Sequence, residues 1–314
     1  MGTPEFAVAS LEALLAGGYN VVAVVTTPDK PAGRGLRLHE SDVKRCAVAA
    51  GLPVLQPEKL RDPSFVGQMR ELRPDLGIVI AFRMLPEIIW SMPRLGTFNL
   101  HASLLPQYRG AAPINRAIID GQSETGVTTF LLNHEIDKGD ILGQLREPIR
   151  PDDNAGTLYE RLMHLGSGLV IDTVERLAAG DIAPVVQSSA PEAELRPAPK
   201  IFREDCLIEW NRPGREIVDL IRGLSPYPAA WSPLWLDGSE VATVKIYSAS
   251  FRPAALTGPL AGSVDTDGRE RLSVACADGW IDLGELQISG KRRMGVRELL
   301  PGLRNAAAHT FAQR

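Results

Sequence analysis

Asn99 and His101 are separated by one residue in the run Thr97-Phe98-Asn99-Leu100-His101, and on a strand that spacing sends both side chains to the same face. A neutral amide donor and an imidazole that can carry a proton then address one space. The strand ends at Ser103 to Pro106, which puts the pair at a carboxyl edge, where open α/β sheets take their ligands. Downstream, the run His134-Glu135-Ile136-Asp137-Lys138-Gly139-Asp140 offers a carboxylate, Asp137. Amide, imidazole and carboxylate together suit acyl or formyl transfer through an oxyanion. Asn99 Nδ2–H and His101 would be aimed at the oxygen on which charge develops, a contact whose loss costs about 10²–10³ in rate. Asp137 would pair with His101 and favour its cationic form. The protein needs no nucleophile of its own if the attacking amine belongs to the substrate.

Two polar residues at alternate strand positions also serve as structural hydrogen-bonders, and an Asp in Asp-Lys-Gly-Asp is a natural turn former. A hydrolase triad using Ser103 is conceivable, although its order and spacing match no template. The chain carries no Gly-x-Ser-x-Gly elbow, no His-Glu-x-x-His and no glycine-rich Walker loop, and no metal is expected.

The elements that must position these residues come from a chain of 314 residues, long enough for about two domains. Hydrophobic residues at 44% and charged residues at 23% are ordinary globular values and exclude whole-chain disorder. Cys46, Cys206 and Cys276 are far apart with no Cys-x-x-Cys spacing, which fits reduced thiols in a cytoplasmic protein. No run approaches the roughly 20 apolar residues of a membrane span, and no basic segment followed by an apolar one opens the chain. The net charge of −4 argues against nonspecific coating of nucleic acid. It is unevenly shared: 15 Lys/Arg face 14 Asp/Glu from Lys200 onward, and 19 face 24 before it, so the two parts carry +1 and −5.

Residues 3–15 read as a helix stopped by Gly17-Gly18, and the β-branched run 21–26 as a strand buried on both faces. Helices at 41–50 and 63–72 alternate with strands at 53–55 and 76–81. Residues 28–41, with Lys30, Gly33, Arg34, Gly35 and Arg37, are too long and too rich in Gly and Pro for a simple connection; they read either as a mobile basic finger or as an ordinary surface loop. A short helix at 112–120, strands at 125–132 and 141–149, and a helix at 154–179 complete the first part. This pattern predicts a Rossmann-like doubly wound, mostly parallel sheet over residues 1–184. Residues 185–205, rich in Ser and Pro, read as a linker. Over 206–314 a helix at 214–224 and about five short strands predict a small OB-like β-barrel, a common nucleic-acid binder.

These residues also carry a family resemblance. Asn99-Leu-His101-Ala-Ser103-Leu-Leu-Pro106-x-Tyr108-Arg109-Gly110-Ala-Ala-Pro113, Glu124-Thr-Gly-Val-Thr128, Asp137-Lys-Gly-Asp140, Gly2-Thr-Pro-Glu-Phe6, Lys30-Pro-Ala-Gly33-Arg34-Gly35, Ile208-Glu-Trp210 and Pro226-Tyr-Pro228 together resemble the methionyl-tRNA formyltransferases, within the folate-dependent formyltransferases. The resemblance implies transfer of the formyl group of 10-formyltetrahydrofolate to methionyl-initiator tRNA, with Asn99, His101 and Asp137 as the catalytic group. It places the folate along Phe82, Arg83, Leu85 and Pro86, the loop Ser103, Leu104, Leu105 and Pro106, and Asp140. The tRNA would meet Lys30, Arg34 and Arg37 on the first domain and Lys291, Arg292 and Arg293 on the barrel. A monomer with folate and tRNA as partners and no membrane is expected. The alternatives are a formyltransferase for a small amine, such as an amino sugar or a purine intermediate, and an inactive tRNA-binding protein.

Two departures from the family stand out. Members usually have a strand before Gly-Thr-Pro, so the first strand of the sheet is expected to be missing here, read either as a start placed too late, which the intact downstream pattern favours, or as a real loss of a central strand. Members also often carry Tyr-Gly where this chain has Phe82-Arg83, which bears on the folate contacts and not on the reaction.

Overall fold

The computed structural model describes residues 1–32, 37–187, 194–256, 258–303 and 305–311. The chain divides into two compact units: Met1–Pro113, Glu124–Pro148 and Tyr159–Ala198 in the first, and Ile114–Ser123, Ile149–Leu158 and Pro199–Arg314 in the second.

The first half alternates helix and strand as its pattern predicts: α1 (Glu5–Ala16), β1 (Val24–Val25), β2 (Lys30–Ala32), β3 (Arg37–His39), α2 (Asp42–Ala49), β4 (Val54–Leu55), α3 (Pro63–Leu72), β5 (Gly77–Ile80), α4 (Glu87–Trp90), β6 (Thr97–His101), α5 (Pro113–Ile119), β7 (Glu124–Leu131), β8 (Ile141–Pro148) and α6 (Ala155–Ala179). The helix starts follow from capping chemistry. Ser41 Oγ accepts from the Lys44 N–H at the head of α2, and Asp62 caps α3 with Pro63 at its first position. Asn154 takes the Gly156 and Thr157 N–H groups at 2.8 and 3.0 Å.

β1 pairs with β4, and β5 with β6, in parallel; β7 and β8 then run antiparallel. The sheet is thus parallel on the β4 side and antiparallel on the β8 side. Between β1 and β5, where a strand was expected to be missing, Met1 and Gly2 hold the place. Gly2 N–H donates to Val25 O at 3.1 Å and Ile80 N–H to Met1 O at 3.0 Å, with Gly2 bridged in parallel to Ile80. Only glycine fits there, because a Cβ on Gly2 would lie 2.6 Å from the Ala7 Cβ and 2.9 Å from Ile80 O. Phe98 and Phe130, 0% and 1% exposed, anchor β6 and β7, each burial being worth about 1.5–3 kcal/mol. Val25, Phe65, Val66, Met69, Val79, Leu85 and Ile89 form the adjoining core.

The stretch expected as a finger or a loop is a hairpin, β2 against β3. Lys44 Nζ ties both of its feet, reaching Asp29 at 2.5 Å and Glu40 at 2.8 Å. Arg34 lies outside the described residues.

The second unit contains α7 (Gly214–Leu224), β9 (Ala230–Leu236), β10 (Ser239–Pro253), β11 (Val264–Thr266), β12 (Leu272–Cys276), β13 (Gly279–Ile288), β14 (Met294–Gly295), α8 (Val296–Leu299) and β15 (His309–Thr310). The strands run β11-β12-β13-β10-β9-β15, with β14 beside β13. An antiparallel bridge between Ser263 and Thr310 brings the two ends together, making a nearly closed barrel. Asp237 and Gly238, with φ of 50° and 75°, supply the two left-handed residues of the β9–β10 turn. Ile217, Ile221 and Leu224 of α7 fill the core with Val244, Ile246, Ile281 and Leu286.

In the β11–β12 connection, Asp267 Oδ1 accepts the N–H groups of Arg269, Glu270 and Arg271 at 2.9, 2.8 and 3.0 Å. These bonds hold its carboxyl at about 2, below its ordinary 3.8. A depressed carboxylate binds fewer protons folded than unfolded, so its stabilisation is complete above the unfolded pKa and lost as pH falls toward the folded one. Asp267→Asn should therefore flatten the fall in thermal midpoint between about pH 4 and about pH 2, as measured by calorimetry against the unsubstituted protein.

Candidate active site

β6 carries Asn99 and His101 to the edge of the sheet in register with Phe130 and Thr128 of β7. His101 is buried and Asn99 half-buried. His101 Nε2 lies 2.8 Å from Tyr108 O. A carbonyl oxygen can only accept, so Nε2 carries the hydrogen and the bond fixes the tautomer. That leaves His101 Nδ1 as the atom that gains or loses a proton. The Asn99 side-chain amide makes no hydrogen bond among the described residues, and its donors are free for a ligand.

Loop 102–113 returns from β6 through a fixed path. Ser103, fully buried, donates from Oγ to Gln107 O at 2.7 Å. That commitment leaves it no proton to hand to His101, so the arrangement does not suit a Ser103 triad. Thr128 Oγ1 is a hub: it donates to Ser103 O at 2.6 Å and accepts from Leu105 N–H at 3.2 Å and Gln144 Nε2 at 2.9 Å. Leu105 is buried, and Leu104 and Pro106 are half-buried. Beyond them the main chain pairs with residues 196–198: Tyr108 N–H donates to Arg196 O at 2.7 Å and Ala198 N–H to Arg109 O at 2.8 Å. Gly110, at φ 126°, is bound to be glycine, since a Cβ would sit 2.4 Å from Ala198 O.

Asp137 lies on the β7–β8 connection in the left-handed region, φ 55°. Its Oδ2 accepts the Gly110 N–H at 2.9 Å. Its carbonyl accepts from Arg109 Nε at 3.1 Å and Gln187 Nε2 at 2.9 Å. Among the described residues no hydrogen bond or ion pair joins Asp137 to His101; both are instead held by the Tyr108–Gly110 segment. Gln187, in the stretch read as a linker, was not singled out from sequence, because a lone glutamine among Ser and Pro carries no local signature.

The residues expected along the donor strand are spread. Leu85 is 7% exposed within the core, with Phe82 packed against it. Arg83 stacks 5.6 Å from the Phe82 ring centroid and donates to Glu58 O at 2.7 Å and to Pro57 O, so it braces residues 57–58. The Glu87–His134 contact at 3.5 Å and the Trp90–His134 ring pair at 5.4 Å bring α4 and the Asp137 connection to one edge. Met84 and Ile136 leave apolar surface there, 72% and 63% exposed. Asp140 is half-buried beside them in sequence, and its carbonyl accepts the Leu131 N–H at 2.9 Å.

Of the basic residues, Lys30 is exposed on β2, and Arg37 opens β3. Lys291 is exposed; Arg292 pairs with Glu298, and Arg293 with Glu285 while lying 4.2 Å from the Tyr247 ring centroid.

Thr128→Val keeps the shape of the side chain and orphans the groups that meet its hydroxyl. It should lower stability to urea by about 1–3 kcal/mol.

The family profile for "Formyl transferase" matches residues 1–174, and that for "Formyl transferase, C-terminal domain" matches residues 200–304. A methionyl-tRNA formyltransferase of Parabacteroides distasonis is 55% identical over 313 residues, 99% of this chain and 96% of that protein. One of Bacteroides fragilis is 55% identical over 304 residues, 96% of this chain and 93% of that one. Among solved structures, an N-formyltransferase from Helicobacter canadensis bound to folinic acid and dTDP-3-aminofucose superposes with a TM-score of 0.63 at 18% identity, covering 93% of this chain and 97% of that one. HypX from Aquifex aeolicus with tetrahydrofolic acid gives 0.58 at 20% identity, covering 82% of this chain and 44% of that one. At those identities the structures share the fold.

Proposed function

The chain belongs to the methionyl-tRNA formyltransferase family, and from that premise we propose that it moves the formyl group of 10-formyltetrahydrofolate to the α-amine of methionine on initiator tRNA, as a cytoplasmic monomer serving translation initiation. No helix among the described residues is long and apolar enough to cross a membrane. Residues 1–184 act as the catalytic domain, 206–314 as the tRNA-binding barrel, and 185–205 connect them.

The observation that carries this reading is the unpartnered Asn99 amide beside a His101 whose Nε2 is committed to the Tyr108 carbonyl. Asn99 Nδ2–H and protonated His101 Nδ1–H donate to the formyl oxygen as the methionine nitrogen bonds to the formyl carbon and negative charge gathers on that oxygen. The bond from the formyl carbon to the donor nitrogen then breaks; the amine has shed a proton and the leaving nitrogen takes one up. Asp137 manages the amine proton, directly or through water. One carboxylate oxygen is held by the Gly110 N–H, and the other is free among the described residues to receive it. The formyl donor supplies an activated one-carbon unit and lies along Phe82 to Pro86, Ser103 to Pro106 and Asp140. The apolar surface at that edge and the free Asn99 donors fit a flat heteroaromatic ring with a polar formyl group. Lys30, Arg34 and Arg37, with Lys291, Arg292 and Arg293, contact tRNA phosphates.

The test is transfer of labelled formyl from the folate to methionyl-tRNA; label reaching only a small amine, or no label at all, would sink the reading. His101→Ala should lower turnover by about 10²-fold or more, and Asn99→Ala by about 10²–10³-fold, with tRNA affinity largely kept. Replacing Lys291, Arg292 and Arg293 together by Ala should make the log–log dependence of tRNA affinity on salt shallower by about two to three.

A further inference from the structure

We propose that Gln187 is a positioning residue that, with Arg109, fixes the pose of Asp137; the inference rests on the reading above that Asp137 serves the transfer. The connection carrying Asp137 buries little of itself: Asn133, His134, Glu135, Ile136 and Lys138 are all exposed, and the contacts of His134 with Glu87 and Trp90 hold its first half. Asp137 itself sits at φ 55°, in the left-handed region that Asp enters more readily than most L residues but that still needs its surroundings to hold it in one pose.

Gln187 supplies that surrounding. It is 8% exposed, and its amide commits its nitrogen to this turn and its oxygen to Arg109. Nε2 donates to Asp137 O at 2.9 Å and to Gly139 O at 2.8 Å, gripping the turn on both sides of Lys138. Oε1 accepts from Arg109 Nε at 3.1 Å and Nη2 at 2.6 Å. Arg109 Nε also donates to Asp137 O at 3.1 Å, so amide, guanidinium and turn carbonyl close a triangle. The grip is stiff at its root, because Val185 and Ile141 exchange both main-chain hydrogen bonds at 2.8 Å, which delivers Gln187 from the start of β8. Gly139 runs close against the end of β7, where an added Cβ would fall 1.6 Å from Leu131 O, so only glycine fits at that point of the turn.

Arg109 makes the clamp bear on both catalytic groups. The residue before it accepts from His101 Nε2, and the residue after it donates to Asp137 Oδ2. A side chain that fixes Arg109 therefore fixes the separation of imidazole and carboxylate, and a misplacement of about 1 Å in such a pair costs about 10²-fold in rate.

The experiment uses the full-length protein in the methionyl-tRNA formylation assay. Gln187→Met keeps length and removes every polar contact; kcat should fall about 10- to 100-fold, with KM for tRNA and for the formyl donor within about twofold. Gln187→Glu keeps the Arg109 contact but cannot donate to either carbonyl, so it should lose as much, and it carries the same expectations should the Met variant fail to fold. Combined with Asp137→Asn, Gln187→Met should add no further loss, because both act through one group. Full turnover in both Gln187 variants while Asp137→Asn is impaired would overturn the positioning role and leave the catalytic reading standing, and additive losses in the double variant would overturn it too. Unimpaired Asp137→Asn would bring down the catalytic reading and this inference with it.

Discussion

Three consecutive peptide groups, Tyr108 to Gly110, are what the site depends on. The Tyr108 carbonyl accepts from His101, the Arg109 side chain from its own place in the run reaches the Asp137 carbonyl, and the Gly110 N–H meets the Asp137 carboxylate. The strand carrying His101 and the turn carrying Asp137 are distant in sequence, and among the described residues no hydrogen bond or ion pair joins the two side chains. They are brought into one frame because the loop between them makes a bond to each.

A loop can do this only if its own polar groups are satisfied as it is buried. Thr128 stands under its first half and serves two main-chain groups and the Gln144 amide from one oxygen. Residues 196–198 run beside its second half and take up the main-chain groups of Tyr108, Arg109 and Ala112. The approach is close enough that Gly110 admits no side chain. The frame is therefore tied to a segment that follows it by some ninety positions and looks like connecting chain, as the paired numbering of Gly110 and Ala198 makes plain.

How much of this is legible in the sequence depends on the range of the interaction. Asn99 and His101 are readable because alternation is local, and Asp137 because Asp before Lys-Gly favours a left-handed turn. The alternation of helix and strand through Leu131 is equally local. Gln187 is not readable, since its meaning lies in contacts to Arg109, Asp137 and Gly139 that no nearby residue announces. Nor is the role of Met1 and Gly2, where two residues stand between β1 and β5 and a periodic pattern needs more. β10 runs from Ser239 to Pro253, much longer than the short strands expected there, because its outer positions are exposed and lack apolar alternation. β7 turns antiparallel to β6 after residues 102–123, which include α5, and β8 turns antiparallel to β7 after residues 132–140; an apolar run carries no sign of direction.

The basic residues follow from a different constraint. A chain with net charge −4 that engages a polyanion must keep its cations local. Arg292 and Arg293 each have a carboxylate partner at the surface, and exposed pairs of this kind contribute about 0–1 kcal/mol, so a phosphate can displace the acid at little cost. Pairing lowers the free protein's positive potential toward polyanions in general and still leaves the guanidinium available to one that arrives in the right place. Lys44 works the other way. Its side chain is 16% exposed and bridges Asp29 and Glu40, where burial keeps the contacts from being screened as surface pairs are. Hydrogen bonds to Asp29 and Glu40 push its pKa up, and those from Lys44 and Gln56 pull that of Asp29 down, so the Lys44–Asp29 pair is charged across the physiological range. A weakly held charge can change partners, and a firmly held one keeps the two feet of the hairpin together.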